Sequence, residues 1–122
     1  MIDYRPASPY HNEVRAFAII ESRENEYAVG DGGQAYGLLQ MHPATFIRYY
    51  YPDVGSTGDS WTRAFIMACA RFLTRWQFGS VTQDQRDLIV QAWNLGEAAV
   101  FLHGRRNLEY LVKWKTAYAT LS

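Results

Sequence analysis

The chain lacks long apolar runs, paired cysteines and any surplus of charge. Nowhere does it hold the ~18 consecutive apolar residues that a membrane-crossing helix requires, so no membrane insertion is expected. Its single cysteine, Cys69 in "FIMACARFL", cannot close an internal disulfide, and its apolar neighbours mark it as a small core residue. Twelve Lys plus Arg balance twelve Asp plus Glu. That balance removes the broad positive field of a nucleic-acid binder, and Arg105-Arg106 reads as a solvated turn. His11, His42 and His103 lie far apart and Cys69 has no companion at a ligand spacing, so neither metal nor cofactor is expected. The opening "MIDYRPASPYHNE" has no basic segment followed by an apolar one, so no export leader is expected in it.

What is present is a dense apolar inventory. Apolar residues make up 48% and aromatics 16% of 122 residues, enough for one domain over residues 1–122 to form a core unaided by disulfides or metal. A chain of this length buries about two-thirds of the surface its unfolded form exposes. Residues 1–11 read as an irregular lead-in with Asn12 as a helix cap, and a helix should then run to Ser22. "EYAVG" allows a short ribbon. Pro43 suits a first helical turn, and "PATFIRYYY" gives a short helix stopped by Pro52 and the turn-like "PDVGSTGD".

Asp59 is expected to cap a central helix whose Trp61, Phe65, Ala68, Phe72 and Trp76 recur at spacings of three and four, with Gly79 ending it. "TQDQ" at 82–85 has the form of a capping box, and Leu88, Ile89, Ala92 and Trp93 follow at helical spacing. Gly96 interrupts, "EAAVFLHG" supplies a short helix stopped by Gly104, and Asn107 can cap a last helix carrying Leu108, Leu111, Val112 and Tyr118. The class is mainly α.

The glycine-rich "GDGGQAYGLLQMHP" fits G-x-G-x-x-A through Gly30, Gly32 and Ala35. A dinucleotide reading needs a strand before that loop, whereas "EVRAFAIIESREN" carries helical spacing. In that helix Val14, Phe17, Ala18 and Glu21 share one face, while Arg15 and Arg23 fall toward the other side. A carboxylate on an apolar face has its charged form disfavoured by desolvation, which raises its pKa. Kept protonated near neutral pH, it can donate a proton to a leaving oxygen, as glycosidic cleavage requires. The same position also suits a glutamate at a frayed helix end, turned into water or bonded to a buried amide. Glu24, if the helix persists, would lie one turn on and raise the donor's pKa a little further by like charge.

The order Glu21-Ser22, Asn25, Ala28, Gly37-Leu38-Leu39-Gln40, Pro43 and Thr45, then Ala92-Trp93-Asn94 and Gly96, resembles lytic transglycosylases of the lysozyme-like superfamily. In them Glu-Ser ends a helix and is followed by N-P-x-A, G-x-x-G-L-M-Q-I-x-P-x-T and A-Y-N-x-G. "GDGGQAYGLLQ" is similar also to the goose-type lysozyme loop G-D-x-G-x-x-x-G-L-M-Q. Glu26 stands where the first pattern has proline, Trp93 where it has tyrosine, and His42 where goose-type enzymes carry a further aspartate.

The resemblance spans roughly residues 12–118. It implies a lysozyme-like fold, a helical core with a small loop or β region beside a groove, and a muramidase cutting between N-acetylmuramic acid and N-acetylglucosamine. Glu21 would be the proton donor and Asp31 the residue that positions water, a pairing that suits an inverting hydrolase. Asp31 before glycine equally suits a turn. The alternatives are a lytic transglycosylase, which needs no second carboxylate and leaves anhydro ends, and an inactive wall-binding or assembly module. Gln40 and Asn94 would bind sugar near the cut, aided by Tyr36 and by Trp93, which shares a helical face with Ile89 and equally fits the core. Ser22 would orient the glutamate or cap the helix end, and Tyr110 would border the groove. The implied partner is peptidoglycan glycan, met by a monomer. Delivery to the wall would be by a holin-type pore, a virion or a secretion machine.

Overall fold

Helix α1 (His11–Ser22) buries Val14, Ala16, Phe17 and Ala18 on the face that their spacing predicts. These elements come from a computed structural model, which describes residues 1–51 and 59–121. Tyr10, not Asn12, precedes the first turn of α1, and it makes no side-chain cap. Asn12 lies inside the helix, where its amide donates to the Leu121 carbonyl at 3.4 Å. The helix ends on Arg23, whose left-handed φ of 55° lets its N–H close on the Ile19 carbonyl at 3.0 Å.

The glycine-rich stretch folds as a hairpin. Strand β1 (Val29–Gly30) pairs antiparallel with β2 (Ala35–Tyr36), Val29 opposite Tyr36 and Gly30 opposite Ala35, across a 3-10 turn at Asp31–Gly33. No strand precedes it as a phosphate-binding fingerprint would need, because the preceding residues form α1. Helix α2 (Pro43–Tyr49) has its proline in the first turn and stops at Tyr50, whose extended backbone breaks the ladder earlier than expected. Pro52 and the turn after it lie outside the described residues.

Helix α3 (Trp61–Arg75) buries Ile66, Cys69, Phe72 and Leu73 at the centre. Its cap is Ser60, whose hydroxyl accepts from the Arg63 N–H at 3.1 Å. Asp59 is drawn instead to the Arg63 guanidinium at 3.1 Å and to the Tyr50 hydroxyl at 3.0 Å, so it is not free to cap. Gly79 does not end α3 either. The left-handed exit falls on Gln77, with φ 54°, and Gly79 follows within the 3-10 turn Phe78–Ser80.

Helix α4 (Gln83–Leu95) starts on the expected capping box, with Thr82 and Gln85 bonding each other's backbone N–H at 3.3 Å each. Gly96, with φ +94°, separates it from α5 (Glu97–Phe101), and Asn107 caps α6 (Leu108–Ala119) by accepting from the Tyr110 N–H at 3.1 Å. Buried Gln91 fastens α4 to the start of α6: it accepts from the Asn107 N–H at 2.8 Å and donates to the Asp87 carbonyl at 3.1 Å.

The described residues are therefore mainly helical with one two-stranded antiparallel sheet. Their core joins Phe17, Leu38, Leu39, Ile66, Phe72 and Leu73, each contributing about 1.5–3 kcal/mol on burial. Helices α1 and α6 run antiparallel, since Glu21 meets Tyr110 at one end of the pair and Glu13 meets Tyr118 at the other. Among the described residues no helix is long and apolar enough to cross a membrane.

Candidate active site

Glu21 sits in the last turn of α1, one turn beyond buried Phe17 on the same face, and is itself half-buried. The Tyr110 hydroxyl donates to its Oε2 at 3.0 Å. Burial pushes the Glu21 carboxyl up to about 7, and the Tyr110 hydrogen bond, which favours the ionised form, only partly opposes it. Arg15 does not neutralise Glu21, because its Nε donates to Glu24 at 2.8 Å.

Glu24 also accepts from the Tyr4 hydroxyl at 2.8 Å. Burial raises its pKa, but the bonds from Arg15 and Tyr4 outweigh that and leave it below the ordinary value. Its charge is paired locally with Arg15 at 2.8 Å, and the Glu21 shift comes from burial opposed by Tyr110. Buried Cys69 and Tyr110 complete the surroundings. Desolvation raises both groups, and the negative charge of Glu21 raises them further.

Ser22 does not touch Glu21 through a hydrogen bond. Its hydroxyl donates to the Leu38 carbonyl at 2.6 Å and accepts from the Asn25 N–H at 3.1 Å, tying the end of α1 to the segment after the hairpin. Gln40 turns its amide inward: Nε2 donates to the Ala28 carbonyl at 3.1 Å and to the Gly37 carbonyl at 2.9 Å. Its Oε1 lies so close to Gly30 that a Cβ there would come within 2.4 Å. Gly37 is required twice over, by its φ of +74° and by a Phe65 ring that a Cβ would meet at 2.3 Å. The loop is thus held from inside by Ser22, Gln40 and Gly37.

Asp31 stands exposed at the hairpin turn with φ 50°, and its carboxylate pairs with His42 Nε2 at 3.0 Å. His42 begins the wall of a groove of about 540 Å³ that also includes Thr45, Arg48, Trp93, Asn94 and Glu97. Trp93 is half-buried and packs on Phe17 and Phe72 with ring centroids 5.7 and 5.1 Å apart, so it serves the core and the groove together. Asn94 is exposed and accepts from the Asn107 amide at 2.8 Å. A second groove, about 620 Å³, lies on the other side of α2 and contains Tyr36, Val29, Phe46 and Trp61. Glu21 lines neither groove; Phe17, one turn before it on α1, packs on the Trp93 ring of the smaller one.

No family model, curated protein or solved structure matches this chain.

The structure therefore joins Glu21 directly to Tyr110, brings Trp93 and Asn94 to one groove with His42 at its edge, and puts Tyr36 in the other. Glu97 was not foreseen as part of the site. It accepts from the Tyr49 hydroxyl and from the Trp76 indole N–H at 2.9 Å, and it pairs with Arg48 at 2.9 Å. Burial raises its pKa while Arg48 opposes. In sequence it is an ordinary acid in a first helical turn, and only the meeting of α2, α5 and the end of α3 at Trp76 gives it three partners. Among the described residues no group of three His, Cys, Asp or Glu gathers as a metal set.

Proposed function

We propose that this chain is a lysozyme-like muramidase that cleaves the β-1,4 bond between N-acetylmuramic acid and N-acetylglucosamine in peptidoglycan. One observation carries the reading: Glu21 is a half-buried carboxylic acid bonded by Tyr110 and without a cationic partner among the described residues, and burial pushes its pKa up to about 7. Such a group holds a proton at neutral pH and gives it up readily. In this mechanism the Glu21 carboxyl protonates the bridging oxygen, the leaving sugar departs, and positive charge develops at the anomeric carbon. Water positioned by Asp31 adds there, and its proton passes to solvent. Glu21 then regains a proton from solvent. Trp93 and Asn94 offer an aromatic face and an amide to the glycan. The Gly-Asp of the hairpin and the Gly-Leu-Leu-Gln that follows it have the motif order of that superfamily.

A second reading, the lytic transglycosylase, is favoured by the state of Asp31, which is exposed and already engaged by His42. There the sugar's own 6-hydroxyl closes on the anomeric carbon and returns its proton to the Glu21 carboxylate.

Mass spectrometry of digested cell wall separates these outcomes. Reducing muramic ends mean hydrolysis, anhydro ends mean transglycosylation, and intact wall overturns both in favour of a binding module. Glu21→Gln should lower turnover by about 10²–10⁴-fold with the fold intact. Asp31→Asn should slow hydrolysis and spare anhydro formation.

A further inference from the structure

The α1–α6 pair carries a second polar constellation at its far end. There a groove of about 620 Å³ is lined by Glu13, Phe78, Gln83, Arg86, Trp114 and Tyr118, with Lys115 beside them. Its wall is aromatic: Trp114 and Tyr118 stack with centroids 5.0 Å apart at 20°, and Phe78 stands edge-on to Trp114 at 6.0 Å. Arg86 is half-buried and oriented before any ligand arrives. Its Nε donates to the Phe78 carbonyl at 2.9 Å and its guanidinium carbon lies 5.9 Å over the Phe78 ring, while neither Nη bonds a described residue. A guanidinium fixed by one edge presents the other as a fork for a carboxylate. Trp114, 5% exposed, adds an indole N–H that is the one buried side-chain polar atom without a hydrogen-bond partner among the described residues.

The other charges restrict what fits. Lys115 is engaged by Asp87 at 3.0 Å, and Glu13 holds the Tyr118 hydroxyl through Oε2 at 3.3 Å, leaving Oε1 for an N–H donor. A glutamate in the groove opposes phosphate dianions and nucleic acid, whereas a single carboxylate beside an apolar group and an amide N–H matches every wall. We propose that this groove binds the free α-carboxylate of a short peptide ending in an apolar residue. The carboxylate sits on the Arg86 fork, the side chain against Trp114 and Tyr118, and the peptide N–H on Glu13. The site is separate from Glu21 and independent of the glycan-cleaving reading.

The test titrates the full ¹⁵N-labelled chain with N-acetyl-alanyl-leucine as the free acid and as the C-terminal amide. The readout is the Trp114 indole N–H resonance, assigned by its loss in Trp114→Phe. The free acid should move that resonance saturably, and the amide should bind at least about tenfold more weakly. Arg86→Lys, which keeps a charge but loses the fork, should weaken the acid by a similar factor and leave the amide unchanged. An unmoved Trp114 resonance, equal affinity for acid and amide, or inorganic phosphate binding as tightly as the peptide would each overturn the proposal. The acid-against-amide comparison uses the parent chain, so it decides the matter even if Arg86→Lys fails to fold.

Discussion

The Tyr110 hydroxyl reaches from the first turn of α6 to Glu21 Oε2 at 3.0 Å, joining residues 89 positions apart at the end of α1. Two opposed forces meet on that carboxyl. Desolvation favours the protonated acid, Tyr110 favours the anion, and desolvation wins, leaving the pKa at about 7.

That shift has a definite sign in stability. Below about pH 4.5 both folded and unfolded chains hold the Glu21 proton; between there and about pH 7 the unfolded chain has lost it and the folded chain has not. The folded state therefore loses relative stability as pH rises through this window, by up to an amount on the order of 3 kcal/mol. Glu21→Gln removes the penalty. Urea denaturation should find the variant close to the parent at pH 4 and more stable by roughly 1–3 kcal/mol at pH 8. A difference that does not change with pH would contradict the desolvated acid.

Tyr110→Phe keeps the buried ring and removes the donor that lowers the Glu21 pKa. The pKa should then rise above about 7, read by ¹³C NMR of the labelled carboxyl or as an alkaline shift in the descending limb of any glycan cleavage. A downward shift would mean that the bond stabilises the protonated form instead.

Gly37→Ala and Gly32→Ala separate crowding from backbone strain. Both glycines have positive φ, +74° and +63°, but a Cβ at 37 would strike Phe65 at 2.3 Å whereas one at 32 meets nothing within 4 Å. Chemical denaturation should show a loss of about 2–4 kcal/mol for Gly37→Ala and about 1–2 kcal/mol for Gly32→Ala. Equal losses would show that the Phe65 contact relaxes freely.

Glu97→Ala should be among the most damaging changes of a partly exposed residue. It strands the Arg48 guanidinium, the Trp76 indole N–H and the Tyr49 hydroxyl, which converge on it from α2 and from the residue just after α3. The expected loss is about 3 kcal/mol in urea denaturation, with Glu97→Gln losing less because an amide oxygen still accepts. A loss within about 0.5 kcal/mol would mean that water replaces those bonds.

Where partners lie within a turn of one another, the residues could be read directly. Thr82 and Gln85 are three apart and make the capping box, and Asn107 caps α6 through the Tyr110 N–H, again three residues on. Other helix ends were settled by backbone and side-chain geometry that the local cap pattern does not contain. Asp59 is taken by Arg63 and Tyr50, so the cap passes to Ser60, and Gln77 makes the left-handed exit that Gly79 was expected to make. Gln40 is settled by the fold in the same way, since the carbonyls of Ala28 and Gly37 hold the amide that the motif assigns to sugar.

Apolar spacing alone determined that helices dominate, and that one carboxylate stands on the oily face of α1 with Val14, Phe17 and Ala18, because helical periodicity is a property of consecutive residues. Folding decided how dry that carboxylate is, that Tyr110 bonds it while Glu24 is neutralised elsewhere, and that Asp31 meets His42. Acidity depends on burial and on groups a few ångströms away, and those neighbours come from chain segments whose separation no local pattern encodes.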